Sequence, residues 1–254
     1  MIDAIRRFGR LAAVLAVFLT LPPSVTAADP QTTPDAEAIE KIVRDYLIRN
    51  PEVIVEALEE LERRREIADQ ERAREAIVAN REALLEDPGS YVAGNENGDV
   101  TIVEFFDYRC PYCKRSLGAL MATLEKDPNV RVVFKEFPIL GEESVLASRA
   151  AIASIQQGKY LDYHNALMDA GSELNEQSVL RIAREVGLDA DKLMADMFSS
   201  DVTEVIRDNY LLAEALGIGG TPAFVIGDQL IPGAIDEQRF AELIQEARTG
   251  CLTC

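Results

Sequence analysis

Residues 101–115 read TIVEFFDYRCPYCKR, and this stretch decides the fold. The apolar run that ends at Phe106 is typical of a buried β-strand, and Pro111 suits the first position of a helix. Cys110 then lies at a helix N-terminus, where free N–H groups and the helix dipole favour a thiolate. Cys113 follows one turn later. The spacing therefore predicts a nucleophilic Cys110 and a resolving Cys113 that attacks a mixed disulfide.

Two alternatives concern the cysteines. A structural disulfide within Cys110–Cys113 is disfavoured, because so short a loop constrains the unfolded chain little. A second pair with the same spacing, Cys251 and Cys254, ends the sequence, and four thiolates can bind zinc. Zinc ribbons, however, separate their pairs by about 15–20 residues, far less than here. We predict no cofactor and no metal, and for the tail a local disulfide or idle thiols, with redox exchange with Cys110 or a soft-metal clip as alternatives.

The first residues predict export. Arg6, Arg7 and Arg10 precede a short apolar run, and small residues near Ala27 suit cleavage, so residues 1–27 are predicted to be a signal peptide. The mature chain is expected in the periplasm, where disulfides persist. The formal net charge of the 254 residues is −18, which disfavours nucleic acid as a partner.

An N-terminal helical segment is predicted at residues 35–86. Its first part carries an apolar stripe with helical spacing, and Asn50-Pro51 predicts a break, with Asn50 as the N-cap of the next helix. The sequence then becomes polar nearly all round. We expect self-association through residues 36–61, with residues 63–86 as a spacer that points away from the rest of the chain; docking of the stripe on its own catalytic domain is the alternative.

A second domain is predicted at residues 91–250. Residues 99–137 predict a β-α-β unit, a helical insertion follows at about 141–216, and TPAFVIG with QLIPGA (residues 221–234) predict a hairpin with a Gly-Asp turn. A helix capped by an Asp closes the domain. The fold class is therefore α/β, with a parallel crossover unit followed by an antiparallel hairpin and a helix.

These motifs carry a resemblance. EFFDYRCPYC, followed much later by GTPAF at residues 220–224, resembles the thioredoxin superfamily, and the inserted helices resemble its DsbA-like branch. IVRDYLIRNPEVIVEALEELERR, at residues 42–64, is similar to the leader of the suppressor-of-copper-sensitivity C proteins. The resemblance implies a thioredoxin fold with an inserted helical domain and a preceding helical oligomerisation segment.

The resemblance also implies roles for residues outside the cysteine pair. In the superfamily, a buried acid at the position of Glu104 moves a proton to or from the resolving cysteine; a solvated Glu104 at a sheet edge is the alternative. Thr221 and Pro222 are expected to form a cis-proline loop beside the cysteines, where the Thr221 backbone binds an extended substrate. Substrate contact is also expected from Pro111 and Tyr112. His164 is interpreted as structural, because Cys110 as a thiolate needs no base.

Two classes of function follow. The first is a periplasmic protein disulfide oxidoreductase that acts as an isomerase or reductase, with a disulfide-introducing oxidase as an alternative; the Thr before Pro222 resembles the isomerase-type members. Its expected partners are secreted proteins that contain cysteine, a membrane thiol-disulfide partner and further copies of the chain. The second is a copper-binding or copper-tolerance protein, because thiolates at this spacing suit Cu(I).

Overall fold

The computed structural model of the chain describes residues 35–171 and 173–250, so the predicted signal peptide and the Cys251–Cys254 tail lie outside the described residues. The chain divides into two compact units between Ala57 and Leu58. Among the described helices, none combines the length and the apolar character that a bilayer crossing requires.

The described part of the first unit, residues 35–57, is helical. Helix α1 spans Ala36–Arg49, and α2, Glu52–Ala79, begins in this unit and continues into the second. The Asn50 side-chain amide donates to the Tyr46 carbonyl at 2.8 Å, so Asn50 closes α1, and the prediction that it caps α2 was wrong. No residue of α1 is buried. The predicted apolar stripe is largely solvent-exposed in this single chain, at Ile39, Ile42, Val43, Tyr46, Ile54, Leu58 and Leu61.

The second unit contains a five-stranded sheet in the order β1-β3-β2-β4-β5. The strands are β1 Tyr91–Gly94, β2 Val100–Phe106, β3 Val130–Glu136, β4 Ala223–Ile226 and β5 Gln229–Pro232. Strands β2 and β3 are parallel and are joined by α4, Pro111–Lys126, whereas the other pairings are antiparallel. The predicted crossover unit and hairpin are confirmed. Strand β1 was missed, because four residues that end in a glycine give too short a pattern.

A block of five helices lies between β3 and β4, where the sequence predicted an insertion. They are α5 Glu142–Ser154, α6 Tyr160–Asp169, α7 Glu176–Glu185, α8 Ala190–Asp196 and α9 Ser200–Ala215, with a 3₁₀ turn at Ile155–Gln157. Helix α10, Glu237–Thr249, closes the unit, and its predicted Asp cap is Asp236, which accepts the Arg239 N–H at 2.9 Å.

The sheet has a core on each face because β2 and β3 are buried on both sides. On the first face, Phe106, Phe134 and Phe224 pack with residues of α4, α10 and the helical block, and Cys110 and Cys113 belong to this core. On the second face, Val103, Phe105 and Val133 pack against a different set, which is Ile77, Leu84, Leu212 and Leu216.

The packing of this second core contradicts the predicted role of residues 63–86 as a spacer. The sequence predicted that residues 63–86 point away from the catalytic domain, whereas the structure buries Ile77 and Leu84 on its sheet. Helix α3, Arg81–Leu85, follows α2, and the Arg131 guanidinium donates to the Leu85 carbonyl at 2.6 Å. The reason is that an apolar sheet face must be covered, and two apolar residues seven positions apart do this without a recognisable stripe. The second unit therefore begins well before residue 91.

Candidate active site

Cys110 occupies the position that its sequence context predicted. Strand β2 ends at Phe106, a short loop follows, and Cys110 is the N-cap of α4 with Pro111 at the first turn. The Cys113 backbone N–H donates to Cys110 Sγ at 3.4 Å, so the helix N-terminus faces this sulfur. Donors and the helix dipole stabilise a thiolate here. Both thiols are free and largely buried, with Cys110 3% and Cys113 0% exposed.

Cys113 lies deeper in the same core. Burial, followed by the nearby Glu104 carboxyl, raises the pKa of the Cys113 thiol well above its usual value. A thiol in this environment keeps its proton until a base accepts it. This arrangement fits the resolving role that the sequence predicted, and it makes the neighbouring carboxyl chemically relevant.

Thr221 and Pro222 face the nucleophile from the loop before β4. Their peptide bond is cis, and the Cys110 thiol donates to the Thr221 carbonyl at 3.2 Å. Two residues 111 positions apart in the sequence are thus brought into contact. A groove of about 630 Å³ adjoins this contact. Its lining comprises Tyr112, Arg115, residues 217–223, Leu230 and residues 232–234.

Tyr112 is the exposed member of the motif. Its ring is 54% exposed, and the Arg115 guanidinium carbon lies 4.2 Å from the ring centroid, which is a cation–π arrangement. Lys114 instead donates to the Ala170 carbonyl. Of the two cations that follow Cys113, only Arg115 lines the groove, where it offers a donor fork next to an aromatic face.

Glu104 lies in β2 on the same sheet face as the cysteines and is 1% exposed. Neither of its carboxyl oxygens has a hydrogen-bond partner among the described residues. Burial, followed by the charge of Glu136, raises the pKa of Glu104 to about 8. The alternative of a solvated residue at a sheet edge is therefore wrong, because β2 is an interior strand.

A second buried acid, Glu136, was missed in the sequence. Glu136 Oε1 accepts from the Tyr108 hydroxyl at 3.0 Å and from the Tyr160 hydroxyl at 2.8 Å. His164 joins this cluster, since its Nδ1 lies 3.0 Å from Tyr108 Oη. Glu136 ends a strand next to a lysine, a position that in sequence is typical of a solvated strand end. The sequence offered one signal of a buried polar cluster, which was Tyr108, an aromatic residue two positions before the nucleophile.

The predicted site residues are therefore brought together by three elements: the loop before α4, the loop before β4, and the interior of β2. Among residues 35–171 and 173–250, no group of three or more His, Cys, Asp or Glu residues is arranged to hold a metal ion. The second cysteine pair is outside these ranges. The site combines a buried thiol near a carboxyl group, a thiol at a helix N-terminus and an adjacent apolar groove. This arrangement is suited to thiol–disulfide exchange with a polypeptide.

Comparisons with known proteins agree with this chemistry. Residues 101–245 match the family model of the DSBA-like thioredoxin domain, and residues 35–68 match that of the copper resistance protein ScsC N-terminal domain. A thioredoxin-like oxidoreductase from Silicibacter pomeroyi DSS-3 is 49% identical, with a TM-score of 0.66 over 67% of this chain and 98% of that chain.

Two further structures extend over the N-terminal segment. ScsC from Proteus mirabilis, in a transitional conformation, is 31% identical, with a TM-score of 0.65 over 84% of this chain and 97% of that one. BcfH from Salmonella enterica Typhimurium is 30% identical, with a TM-score of 0.72 over 84% and 95%. Curated relatives include a sodium–proton antiporter from Herminiimonas arsenicoxydans, 26% identical over 64% of this chain. The chain spans only about a quarter (26%) of that antiporter's length.

Proposed function

The chain belongs to the family of DsbA-like thioredoxin-domain proteins, and we propose that it is a periplasmic thiol–disulfide oxidoreductase that acts as an isomerase or a reductase. The contact of Cys110 Sγ with the Thr221 carbonyl beside an open groove carries this proposal. A substrate strand in the groove brings its own sulfur next to Cys110 while its backbone pairs with the loop before β4. The relatives support a general role in thiol–disulfide exchange.

In the first step, the Cys110 thiolate attacks one sulfur of a substrate disulfide. A Cys110–substrate bond forms, the substrate disulfide breaks, and the other substrate sulfur leaves as a thiolate. In isomerisation, that thiolate attacks a second disulfide of the substrate and frees another substrate thiolate. This second thiolate attacks the substrate sulfur that is bonded to Cys110, so a new substrate disulfide forms and Cys110 leaves as a thiolate. The enzyme gains or loses no electrons in this cycle.

In reduction, Cys113 completes the reaction. Its proton passes to an ionised Glu104, its sulfur attacks Cys110 Sγ, and the substrate leaves as a thiolate while the Cys110–Cys113 disulfide forms. The oxidised enzyme then needs two electrons from a dithiol, for which we propose a membrane thiol donor. Cysteine-containing secreted proteins are the proposed substrates, with Pro111, Tyr112, Thr221 and Pro222 as their contacts.

The preference for isomerase or reductase rests on the N-terminal segment. Its exposed apolar stripe supports self-association through residues 36–61, because isolated exposed residues are ordinary but a stripe at helical spacing is not. An assembly presents several active sites to one substrate. Deletion of residues 28–62 is expected to reduce the mass in solution to that of one chain, whereas deletion of residues 28–34 is the control. An unchanged mass after the longer deletion would refute self-association.

The function itself is tested by reactivation of scrambled ribonuclease. The chain from residue 28 onward is expected to restore ribonuclease activity, and the Cys110→Ser variant is expected to fail. A wild-type protein that exchanges with glutathione but does not reactivate ribonuclease would exclude the isomerase and leave the reductase or the alternative oxidase. The equilibrium potential of Cys110–Cys113 separates those two, because an oxidase requires the more oxidising value.

A second candidate function is copper handling, which is favoured by the match of residues 35–68 to a copper resistance model. Thiolates bind Cu(I), and four cysteines are available in the sequence. Stoichiometric Cu(I) binding by a Cys110→Ser/Cys113→Ser variant would assign a site to Cys251 and Cys254. Loss of binding in that variant would assign the copper to the redox pair.

A further inference from the structure

Two glutamates share the buried sheet face that supports the cysteines. The parallel register of β2 and β3 pairs Glu104 with Phe134 and Phe106 with Glu136. The two acids therefore occupy diagonal positions on one face, which in a sheet are about 7–8 Å apart. They are 1% and 2% exposed. Two carboxylates this close in a dry core cannot both be charged without a large cost in free energy.

The hydrogen bonds distinguish the two acids. Glu136 Oε1 accepts from two tyrosine hydroxyls, whereas the Glu104 oxygens have no partner in the part of the chain that the structure describes. Hydrogen bonds donated to a carboxyl group favour its ionised form, and a carboxyl without donors in an apolar site favours its neutral form. The negative charge is thus more stable on Glu136.

His164 completes this network. When Glu136 is ionised, the Tyr108 hydroxyl donates its one proton to Glu136, and the contact at 3.0 Å to His164 Nδ1 then requires that Nδ1 carry a proton and donate to Tyr108. Burial lowers the pKa of His164 to about 3, so the ring is neutral. The resulting chain runs from the His164 N–H to the Tyr108 O–H to Glu136. Together with Tyr160, every donor points toward the Glu136 carboxylate.

The remaining groups around Glu136 fit this assignment. The Asp107 carboxylate lies nearby and opposes the charge, but Asp107 is itself held by the Arg109 and Leu140 N–H groups and the Ser144 hydroxyl. Burial raises the pKa of Glu136 to about 8, as it does that of Glu104, but hydroxyl donors oppose this rise only at Glu136. From α9, the Asn209 amide donates to the Glu136 backbone carbonyl at 3.1 Å.

We propose that this acid pair carries one negative charge, that the charge resides on Glu136, and that it holds the proton on Glu104 next to Cys113. Glu136 is then a positioning residue, since it acts on the exchange through Glu104. The inference rests on the proposed role of Glu104 as the proton carrier of the cysteine pair. Under this proposal, the Glu104 carboxyl group is protonated in the resting protein.

The consequence concerns the direction of proton transfer. When a thiolate attacks Cys110 Sγ of the oxidised enzyme, the Cys110–Cys113 bond breaks and its electron pair stays on Cys113. Glu104 gives its proton to Cys113 Sγ and becomes a carboxylate, so the charge formed on sulfur passes to the acid pair, which returns to one charge when Glu104 takes up a proton from solvent. The reverse step needs Glu104 ionised beside Glu136, which becomes favourable only at higher pH.

The test follows the carboxyl carbons of ¹³C-glutamate-labelled, reduced protein by NMR as the pH is raised. Glu104→Gln and Glu136→Gln assign the two signals by their loss. Removing a charge about 7–8 Å away, at an effective dielectric constant of about 20, moves a pKa by roughly one to two units. In Glu136→Gln, Glu104 is therefore expected to titrate roughly one to two pH units lower than in the wild type.

Two tyrosine variants keep the proposal testable if Glu136→Gln does not fold. Tyr160→Phe removes a donor to Glu136 and is expected to lower the titration of Glu104 by a smaller amount. Tyr163→Phe removes a buried hydroxyl of the same helix that donates instead to the Val179 carbonyl, and it is expected to leave Glu104 unchanged. A Glu104 titration that is the same in wild type, Glu136→Gln and Tyr160→Phe would overturn the proposal.

The exchange reaction supplies the functional readout. The pH profile of glutathione exchange is expected to move with the Glu104 titration in Glu136→Gln, whereas a purely structural role of Glu136 would lower stability and leave the profile in place. If Glu104→Gln does not alter the profile, Glu104 is not the proton carrier, and the functional part of the proposal fails. Failure to reactivate scrambled ribonuclease would concern only the proposed isomerase function.

Discussion

Replacing Asp87 by Asn is expected to weaken the packing of α3 on the second face of the sheet. Lys135 Nζ lies beneath the second sheet face, where it donates to Asp87 Oδ2 at 2.7 Å and to the Ala83 carbonyl at 2.8 Å. The Lys135 side chain is 1% exposed and that of Asp87 is 25% exposed. An ammonium group that is buried this deeply needs a counter-charge.

The magnitude follows from this burial. Removing one partner of a fully buried pair costs about 3–5 kcal/mol of unfolding free energy. Asp87 is partly solvated and Lys135 keeps its carbonyl partner, so we expect a loss of about 2–3 kcal/mol for Asp87→Asn. Against the usual 5–15 kcal/mol for a domain, this change is measurable in urea unfolding followed by circular dichroism.

A matched control is available in Asp99, which pairs with Arg248 at 2.8 Å while Asp127 also contacts that guanidinium. The Asp99 side chain is 54% exposed, so Asp99→Asn is expected to lower the free energy of unfolding much less than Asp87→Asn does. Lys135→Met in the Asp87→Asn background should recover most of the lost stability, because no buried charge remains. Equal losses in Asp87→Asn and Asp99→Asn would refute this reasoning.

The same pair gives a pH dependence. Although burial raises it, the hydrogen bond and charge of Lys135 hold the pKa of Asp87 below its usual value. A carboxyl with a depressed folded-state pKa stabilises the fold above its unfolded pKa of about 3.9 and loses this contribution as the pH falls. The difference in stability between wild type and Asp87→Asn is therefore expected to shrink toward acid pH.

Three further predictions concern the site and the second core. Cys113→Ser should accumulate a mixed disulfide between Cys110 and substrate, visible on non-reducing gels, because the resolving thiol is gone; no accumulation would argue against that role. The rate of the Cys113-dependent step is expected to rise in the wild type as the pH passes about 8, and Glu104→Gln should abolish this rise; an unchanged pH profile in stopped-flow exchange would contradict it. Ile77→Ala should cost about 2–4 kcal/mol in urea unfolding, whereas Ile67→Ala, which is 47% exposed, should cost less than about 0.5 kcal/mol; similar losses would show that the second core is unimportant.

The reactive cysteine was predictable because its determinants are local. The strand that ends at Phe106, the N-cap position of Cys110 and the proline that follows it are contiguous in sequence, and short-range rules describe each of them. The pairing with Thr221 was accessible only through the family resemblance. Cys110 and Thr221 are 111 positions apart, so no local sequence pattern indicates the contact.

Glu136 and the docking of α3 could not be predicted for a different reason. Burial of a charged residue depends on partners supplied by distant elements, and Tyr160 and His164 come from a helix of the inserted block. A charged residue at a strand end is usually solvated, so the general expectation for Glu136 was exposure rather than burial. Ile77 and Leu84 likewise lie in a polar background, and only the uncovered sheet face gives them a partner.

Strand β3 shows how these two surprises are connected. Successive side chains of a strand point to opposite faces, so Lys135 and Glu136 diverge, one toward α3 and the other toward the redox core. In isolation, adjacent opposite charges look like a solvated strand end that needs no further partner. Here each charge is buried and separately compensated, Lys135 by Asp87 and Glu136 by two tyrosine hydroxyls. Because of this alternation, one strand binds α3 through Lys135 on one face and places Glu136 near the redox core on the other. Because the two charges lie on opposite faces, a variant at Lys135 should affect unfolding and a variant at Glu136 should affect proton transfer.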